Sequence, residues 1–319
     1  MVDVVGIDVS KADFHACLIQ GSNRSKKSFP NAPVGYRQMQ TWLKNRGCRE
    51  LHACMEATGA YWEGLAKALH DAGMMVSVVN PSQTAFFARS QLRRTKTDVV
   101  DAAMIAEFCQ QRRPSGWTPP PEEILELRGL LSYREHIVQE MVRIEQMVTG
   151  IHVSSELRKA HRHQLAALKK TRAAVEKQLR GVVKTHEHIT RQVKALTAVS
   201  GIGLLTASSI VARLPVERLR DGKAAVAYVG LAPSERQSGS SVHGKPRICK
   251  TGNAELRRNL YMPAMSAIRH NPILQAFAER LRQRGKAGKV IVVAVMRKLL
   301  VLAFTLLRRT LASSPALAV

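Results

Sequence analysis

Acidic side chains are scarce in this chain: 24 Asp and Glu stand against 49 Lys and Arg, a formal net charge of +25 over 319 residues. So large an excess of one sign is more than solubility needs and points to a polyanionic partner, nucleic acid first. Paired cysteines are lacking too. Cys17, Cys48, Cys54, Cys109 and Cys249 are odd in number and scattered, with no C-x-x-C pair and no His at metal-ligand spacing. This excludes a disulfide framework and a zinc ribbon, and predicts reduced thiols in a cytosol. No unbroken apolar run reaches membrane length. Residues 290–307 come closest, but Arg297 and Lys298 interrupt them, which predicts a buried helix with a basic edge. The opening residues read as a strand rather than a leader, and no membrane partner is expected.

The basic excess is uneven. Residues 201–319 hold 20 Lys and Arg against 5 Asp and Glu, so the strongest phosphate-binding surface is expected there.

Because acids are few, their placement is informative. In Thr97-Asp98-Val99-Val100-Asp101-Ala102 two carboxylates stand three residues apart at the start of a helix-like run, on one face of it. Arg93, Arg94 and Lys96 precede them, and Ala102, Ile105, Ala106 and Phe108 supply the apolar positions. Acids in a first helical turn also simply meet the positive end of the macrodipole, so the pair gains meaning only with acids elsewhere. Residues 2–9 (VDVVGIDV) read as a strand carrying Asp8 at its end, and residues 14–19 as a second strand closed by a turn at 21–23. Residues 35–46 have helical spacing, and residues 51–56 (LHACME) form a strand ending on Glu56. A helix-like segment around residues 62–69 and a strand at 74–80 closed by Pro81 follow. Alternating strands and helices predict an α/β sheet, whose chemistry lies beyond the carboxyl ends of its strands, where Asp8 and Glu56 fall.

Four prolines within residues 114–121 (PSGWTPPP) mark a linker. Beyond it, apolar positions step by threes and fours from Leu127 to Ile151 and from Leu165 to Leu196, around a polar break at 154–162. That rhythm predicts two long helices in a projecting antiparallel hairpin or a dimerising coiled coil. Ser200-Gly201-Ile202-Gly203 between apolar helices outlines a helix-hairpin-helix, which can offer backbone N–H groups to a phosphate. A helix at 224–231 precedes a polar loop, residues 233–245, with four serines and flexible glycines. Arg236, Lys245, Arg247, Lys250, Arg257 and Arg258 surround it. They are expected to bind nucleic-acid backbone, as are Arg93, Arg94 and Lys96, with residues 280–289 and 308–309 adding phosphate contacts without sequence readout.

Taken together, Asp8, Glu56, Asp98 and Asp101 stand in an order that resembles the ribonuclease-H-like nucleases of the Holliday-junction resolvase (RuvC-like) kind, in which four carboxylates hold two divalent ions. Hard magnesium ions take oxygen ligands, and two of them stabilise the attacking and leaving oxygens of a phosphodiester displacement. The local runs are more specific. Gly6-Ile7-Asp8-Val9-Ser10-Lys11, Met55-Glu56-Ala57-Thr58-Gly59-Ala60-Tyr61, Lys96-Thr97-Asp98-Val99-Val100-Asp101-Ala102 and Ser238-Gly239-Ser240-Ser241-Val242 resemble the signature runs of the DEDD-type transposases of bacterial insertion sequences, the group numbered one hundred and ten, understood as RNA-guided bridge recombinases.

The resemblance implies an α/β ribonuclease-H-like (RuvC-like) catalytic domain at 1–118, central coiled-coil helices at 119–196, and a mainly α-helical transposase domain at 197–319. It implies Mg2+ on Asp8, Glu56, Asp98 and Asp101, with Ser238 as nucleophile through a phosphoserine intermediate. Its implied partners are donor and target DNA, a structured non-coding guide (bridge) RNA, and further copies of the chain, a dimer that becomes a tetramer on DNA. Its implied setting is the bacterial cytoplasm at the nucleoid. A serine hydroxyl needs activation, and no His–Asp partner adjoins Ser238, although His243 is five residues on. Ser240 and Ser241 stay open as alternatives to Ser238. Three other readings are weighed. In a hydrolytic junction resolvase the serine loop would only bind. A non-catalytic scaffold is disfavoured because it would gain phosphate affinity by losing the four acids, and an actin-like sugar kinase because its glycine-rich phosphate loops are missing.

Overall fold

The computed structural model describes residues 2–48, 50–91, 98–149, 154–234, 237–238, 242–243 and 247–313, with backbone alone at 98–99, 148–149, 237–238 and 242–243. The chain divides into two compact units, Met1–Pro120 and Pro121–Val319.

The first unit is built on a five-stranded sheet. Strands β1 (Asp3–Val9), β2 (Asp13–Gln20) and β3 (Asn23–Pro30) form an antiparallel meander, helix α1 (Pro33–Lys44) crosses over, and β4 (Leu51–Glu56) returns parallel to β1. Helix α2 (Glu63–Asp71) leads to β5 (Met75–Val79), parallel to β4, and α3 (Pro81–Ser90) and α4 (Asp98–Arg112) complete the unit. The order β3-β2-β1-β4-β5, with β2 alone antiparallel to the other four, is the ribonuclease-H-like arrangement.

Side-chain alternation assigns the two faces. Val5, Ile7, Phe14, Ala16, Ala53 and Met55 lie in one core with Met39, Leu43, Leu65 and Leu69 of α1 and α2. Val4, Cys17, Ile19 and Cys54, one residue out of phase, lie in a second core with Ala102, Ile105, Ala106 and Cys109 of α4. Burial on both faces explains why β1 and β4 read as nearly continuous apolar runs.

Two elements of this unit differ from the sequence expectation. β3 (NRSKKSFP) buries only Phe29, so it carries no apolar alternation, and its Lys26 and Lys27 suit an exposed sheet edge. Pro81 does end β5, but it also opens α3. The Asn80 side chain accepts a hydrogen bond from the Ser82 backbone N–H at 2.9 Å, an N-cap followed by proline at the first helical position.

In the second unit α5 (Glu122–Thr149) and α6 (Ser155–Thr185) pack antiparallel, with Arg134 Nε 2.7 Å from Glu176 Oε1 and Ile137, Met141 and Val175 between them. The expected apolar stripes are thus the packed faces of a hairpin, but their boundaries move. The polar residues 155–162 are helical, because Ser154 caps Leu157 N–H and the segment is rich in good helix formers. The second stripe is two helices rather than one, since His186 is extended between α6 and α7 (Glu187–Thr197).

Helices α8 (Leu204–Arg213) and α9 (Gly222–Tyr228) follow, then two short ribbons. In these β6 (Pro233–Ser234) pairs with β9 (Arg247–Ile248), and β7 (Gln237–Ser238) with β8 (Val242–His243). Helices α10 (Ala254–Asn259), α11 (Tyr261–His270), α12 (Pro272–Gln283) and α13 (Gly288–Ala312) close the chain. Leu127, Leu131, Leu179 and Val182 at the base of the hairpin share one core with α7, α8, α11 and α13. Among the described residues α13 is the helix long and apolar enough to cross a membrane, and half of its apolar window is buried in that core.

Candidate active site

Asp8 and Glu56 are brought together by strand register. Ile7 lies beside Met55 in the parallel β1–β4 pair, so Asp8 and Glu56, one residue further on, end adjacent strands at the same level. Asp8 has the parity of Val4 and Gly6, and Glu56 that of His52 and Cys54, which puts both on the face covered by α4. The chain turns sharply just after Asp8: Ser10 N–H donates to Asp13 O at 2.9 Å, and Ser10 Oγ to Asp13 Oδ1 at 2.6 Å.

Two anchors fix the direction of α4. At its C-terminal half, Arg24 Nη1 lies 2.5 Å from Glu107 Oε1, and Arg24 is level, through Ile19, with Val4 at the start of β1. Nearer its N-terminus the α4 backbone presses on Gly6, where an added Cβ would meet Ala106 N at 2.1 Å and Ala102 O at 2.3 Å. The helix therefore runs antiparallel to β1. Its first turn, carrying Asp98 and Asp101, is directed toward the strand ends of Asp8 and Glu56. Only glycine at position 6 allows this approach.

Glu56 is held by a neighbour that the sequence did not reveal. Thr84 of α3, 2% exposed, donates its hydroxyl to Glu56 Oε1. The only prior signal was the Asn80-Pro81 helix start, which positions Thr84 but says nothing of its partner. His15 was missed as well; it is half-buried on β2 and paired in register with Asp8 on the same face. Deeper in this layer the Cys54 and Cys109 thiols are hydrogen-bonded to each other. That bond and burial push the Cys54 thiol up, so it stays neutral. His52 Nε2 lies 2.7 Å from Ser77 Oγ beside them.

The donor set suits a hard divalent ion, because all four acids offer oxygen. Among the described residues no three His, Cys, Asp or Glu side chains converge into a group able to hold a metal, and the Asp98 side chain lies outside the described ones. The fit therefore rests on the chemistry of the acids and on the elements that carry them. Asp8, Glu56 and Asp101 are each half-buried, open enough to meet a ligand.

In the second unit the backbone of Ser238 pairs with Val242, and that of Gln237 with His243, one step outward from the β6–β9 ribbon. Ser238 thus stands toward the tip. The base is stapled to the end of α9: Cys249 N–H donates to Ala232 O at 2.9 Å, Lys250 N–H to Gly230 O at 3.1 Å, and Asn253 N–H to Tyr228 O at 2.9 Å. Gly252, at φ +136°, lies where a Cβ would meet Tyr228 O at 2.2 Å. Lys250, at φ +58°, turns the chain beside it.

Of the expected nucleic-acid contacts, Arg247 and Lys250 are exposed near this base. Arg257 is engaged within the protein, its Nη1 donating to Val229 O at 2.8 Å and Lys250 O at 3.1 Å. Arg258 pairs with Glu135 at 2.7 Å. Arg93, Arg94, Lys96, Arg236, Lys245, Ser240 and Ser241 lie outside the described residues. At the glycine turn, α8 starts at Gly203 with no side-chain cap on its first N–H groups.

Comparison with known proteins gives concordant results. Residues 5–153 match a family model for the IS110 DEDD transposase, described as Transposase, and residues 193–279 match the Transposase IS116/IS110/IS902 family. The chain is 31% identical over 311 residues to the pilin gene-inverting proteins of Moraxella bovis and Moraxella lacunata, covering 96% of this chain and 95% of each relative. It is 28% identical over 145 residues to an uncharacterized 43.6 kDa protein of insertion element IS110 from Streptomyces coelicolor, covering 45% of this chain and 35% of that one. Among solved structures, Thermus thermophilus RuvC in complex with a Holliday junction substrate aligns with a TM-score of 0.29 at 11% identity, over 36% of this chain and 99% of that one.

Proposed function

The chain belongs to the IS110 family of transposases, enzymes that recombine DNA, and from that premise we propose that it exchanges strands between donor and target DNA through a phosphoserine intermediate under RNA guidance. The observation that carries this reading is that Asp8 and Glu56 end adjacent strands at one level, with the first turn of α4 directed toward that end of the sheet. An acidic edge in a chain of net charge +25 repels the backbone it must meet, so its acids are explained by cation binding better than by DNA affinity.

In this reading Ser238 is the nucleophile. Its hydroxyl gives up a proton, an Oγ–P bond forms, and the P–O bond to the departing deoxyribose breaks, its oxygen leaving as an alkoxide that takes up a proton to become a free hydroxyl. The reverse step, with an oxygen of the other DNA attacking the phosphoserine, restores the serine and completes exchange. Asp8, Glu56, Asp98 and Asp101 would hold Mg2+, which when bound supplies Lewis-acid stabilisation of charge on the attacking and leaving oxygens. Thr84 keeps the Glu56 carboxylate oriented for that task. A structured non-coding RNA pairing with both DNAs relieves the protein of base reading, and its basic surface need then contact only phosphates. The functional divisions are 1–118, 119–196 and 197–319, and the working assembly is a dimer that becomes a tetramer on DNA at the bacterial nucleoid.

The test is a denaturing gel for covalent protein–DNA adducts, formed from purified protein, Mg2+, the flanking non-coding RNA and labelled donor and target DNA. An RNA-dependent adduct lost in Ser238→Ala and in Asp98→Ala supports the reading. Free cleaved ends that need Asp98 but ignore Ser238 would make the protein a hydrolytic nuclease. Adducts lost in Ser240→Ala or Ser241→Ala, with Ser238→Ala active, would move the nucleophile.

A further inference from the structure

The two helices of the hairpin differ sharply in charge. α5 carries six Glu and three Arg, whereas α6 carries nine Lys and Arg and two Glu. On α6 the cations are confined to one side. At about 100° per residue, every Lys and Arg of the helix except Arg172 falls within an arc of about 120°, and all eight are exposed. One acid, Glu176, touches the rim of that arc, and Arg134 of α5 binds it at 2.7 Å. The neighbouring solvent-facing surface is also exposed but carries no cation and a single acid, Glu156, among Ala160, Ala167, Ala174 and Gln178. A helix that needed only solvation would have no reason to crowd its cations onto one third of its girth while leaving alanines in water. From Arg158 to Lys184 the stripe runs about 39 Å, close to one turn of B-form DNA, roughly 34 Å. Its arc holds no aromatic side chain, which argues against single strands, whose bases are held by stacking.

We propose that the cationic stripe of α6 is a sequence-independent docking surface for the phosphate backbone of duplex DNA. It lies outside the serine loop and the acidic edge, and it rests on the DNA-recombining activity of the family rather than on the phosphoserine mechanism. Duplex DNA lies along the outer side of α6 over about one helical turn, held by point-charge contacts that release counterions. The hairpin thereby aligns the DNA axis with the helix and leaves the grooves unread.

The experiment measures full-length protein binding to a random-sequence DNA duplex across a salt series. It compares the wild type with a variant carrying Lys169→Gln, Lys170→Gln, Lys177→Gln and Lys184→Gln, and with a charge-matched control carrying Lys26→Gln, Lys27→Gln, Lys44→Gln and Lys67→Gln. Because all eight lysines are exposed, circular dichroism melts should show each variant folded. Each lost phosphate contact flattens the slope of log affinity against log salt by about 0.9. The stripe variant should therefore flatten it by about three to four, and the control by less than one. Equal flattening in both variants would reduce the effect to net charge and overturn the proposal, as would no flattening in the stripe variant. A structured RNA losing affinity while the DNA duplex does not would overturn the assignment to DNA. A wild type that binds no duplex at all would instead remove the DNA-contact premise, separately from any result on adducts.

Discussion

The buried hydroxyl of Thr84 donates a hydrogen bond to Glu56 Oε1, tying the start of α3 to the end of β4. A carboxylate at a strand end has free torsions, and this bond selects among them. Thr84→Val keeps the shape and removes the donor, so divalent-ion affinity should fall roughly 10- to 100-fold, while Thr84→Ser should retain it. The readout is Mn2+ or Mg2+ binding by calorimetry, independent of recombination. Wild-type binding unchanged by Thr84→Val would show that the bond is only structural; absence of wild-type binding would count against the metal site itself.

Gly6→Ala should displace α4. The new methyl would overlap backbone atoms of Ala102 and Ala106, which cannot swing aside as a side chain can. Overpacking of this kind destabilises by about 1–3 kcal/mol or more. Chemical denaturation should show that loss in the first unit, and ion binding should weaken with it because the turn bearing Asp98 and Asp101 moves away from Asp8. An unchanged midpoint would contradict the close packing of helix on strand.

Asp101→Asn and Glu56→Gln should abolish adduct formation, as should chelation of divalent ions from the wild type. Duplex DNA binding should persist or strengthen, since each change removes a negative charge facing phosphate. Filter binding and the adduct gel, run on the same preparations, separate these two effects. A variant that loses binding and adducts together would point instead to a folding defect.

Gly252→Ala should disturb the serine ribbon without touching the acidic edge. Its φ of +136° and the Tyr228 carbonyl 2.2 Å from a built Cβ both forbid a side chain. The cost is about 1–3 kcal/mol, felt in the turn that staples the ribbon to α9. Adducts should fall steeply while Mn2+ binding holds. Loss of ion binding in this variant would show that the acidic edge depends on the ribbon.

Arg213→Met tests a buried charge in the second unit. The guanidinium is 5% exposed, with Nε 2.7 Å from Glu255 Oε2 and Nη2 2.9 Å from Ser132 Oγ. A methionine of similar length fills the space but leaves Ser132 and Glu255 without that partner. Since Glu255 is half-exposed and can recover water, the thermal midpoint should fall by less than for Arg213→Ala, which also leaves a cavity. Equal losses would assign the role of Arg213 to charge rather than packing.

Local chemistry alone settled a good deal of this protein. The order of Asp8, Glu56, Asp98 and Asp101, the alternation of strands and helices, the proline linker and the two apolar stripes all follow from residue type and spacing, because side-chain period and turn chemistry act over a few residues. Its failures were local conflicts of signal: polar β3 lacked an apolar pattern, Pro81 both stopped a strand and started a helix, and polar residues 155–162 stayed helical through their propensity. What tertiary structure alone decided was adjacency. That Asp8 and Glu56 share a level and a face depends on the register of β1 against β4, strands some 40 residues apart in sequence, and a one-residue slip would have sent one acid to the other side. That the first turn of α4 is directed toward them depends on Gly6 admitting a backbone, and that Glu56 is held depends on Thr84 of α3. Contacts between distant segments are fixed by the packing of whole elements, and no spacing within a single segment encodes them.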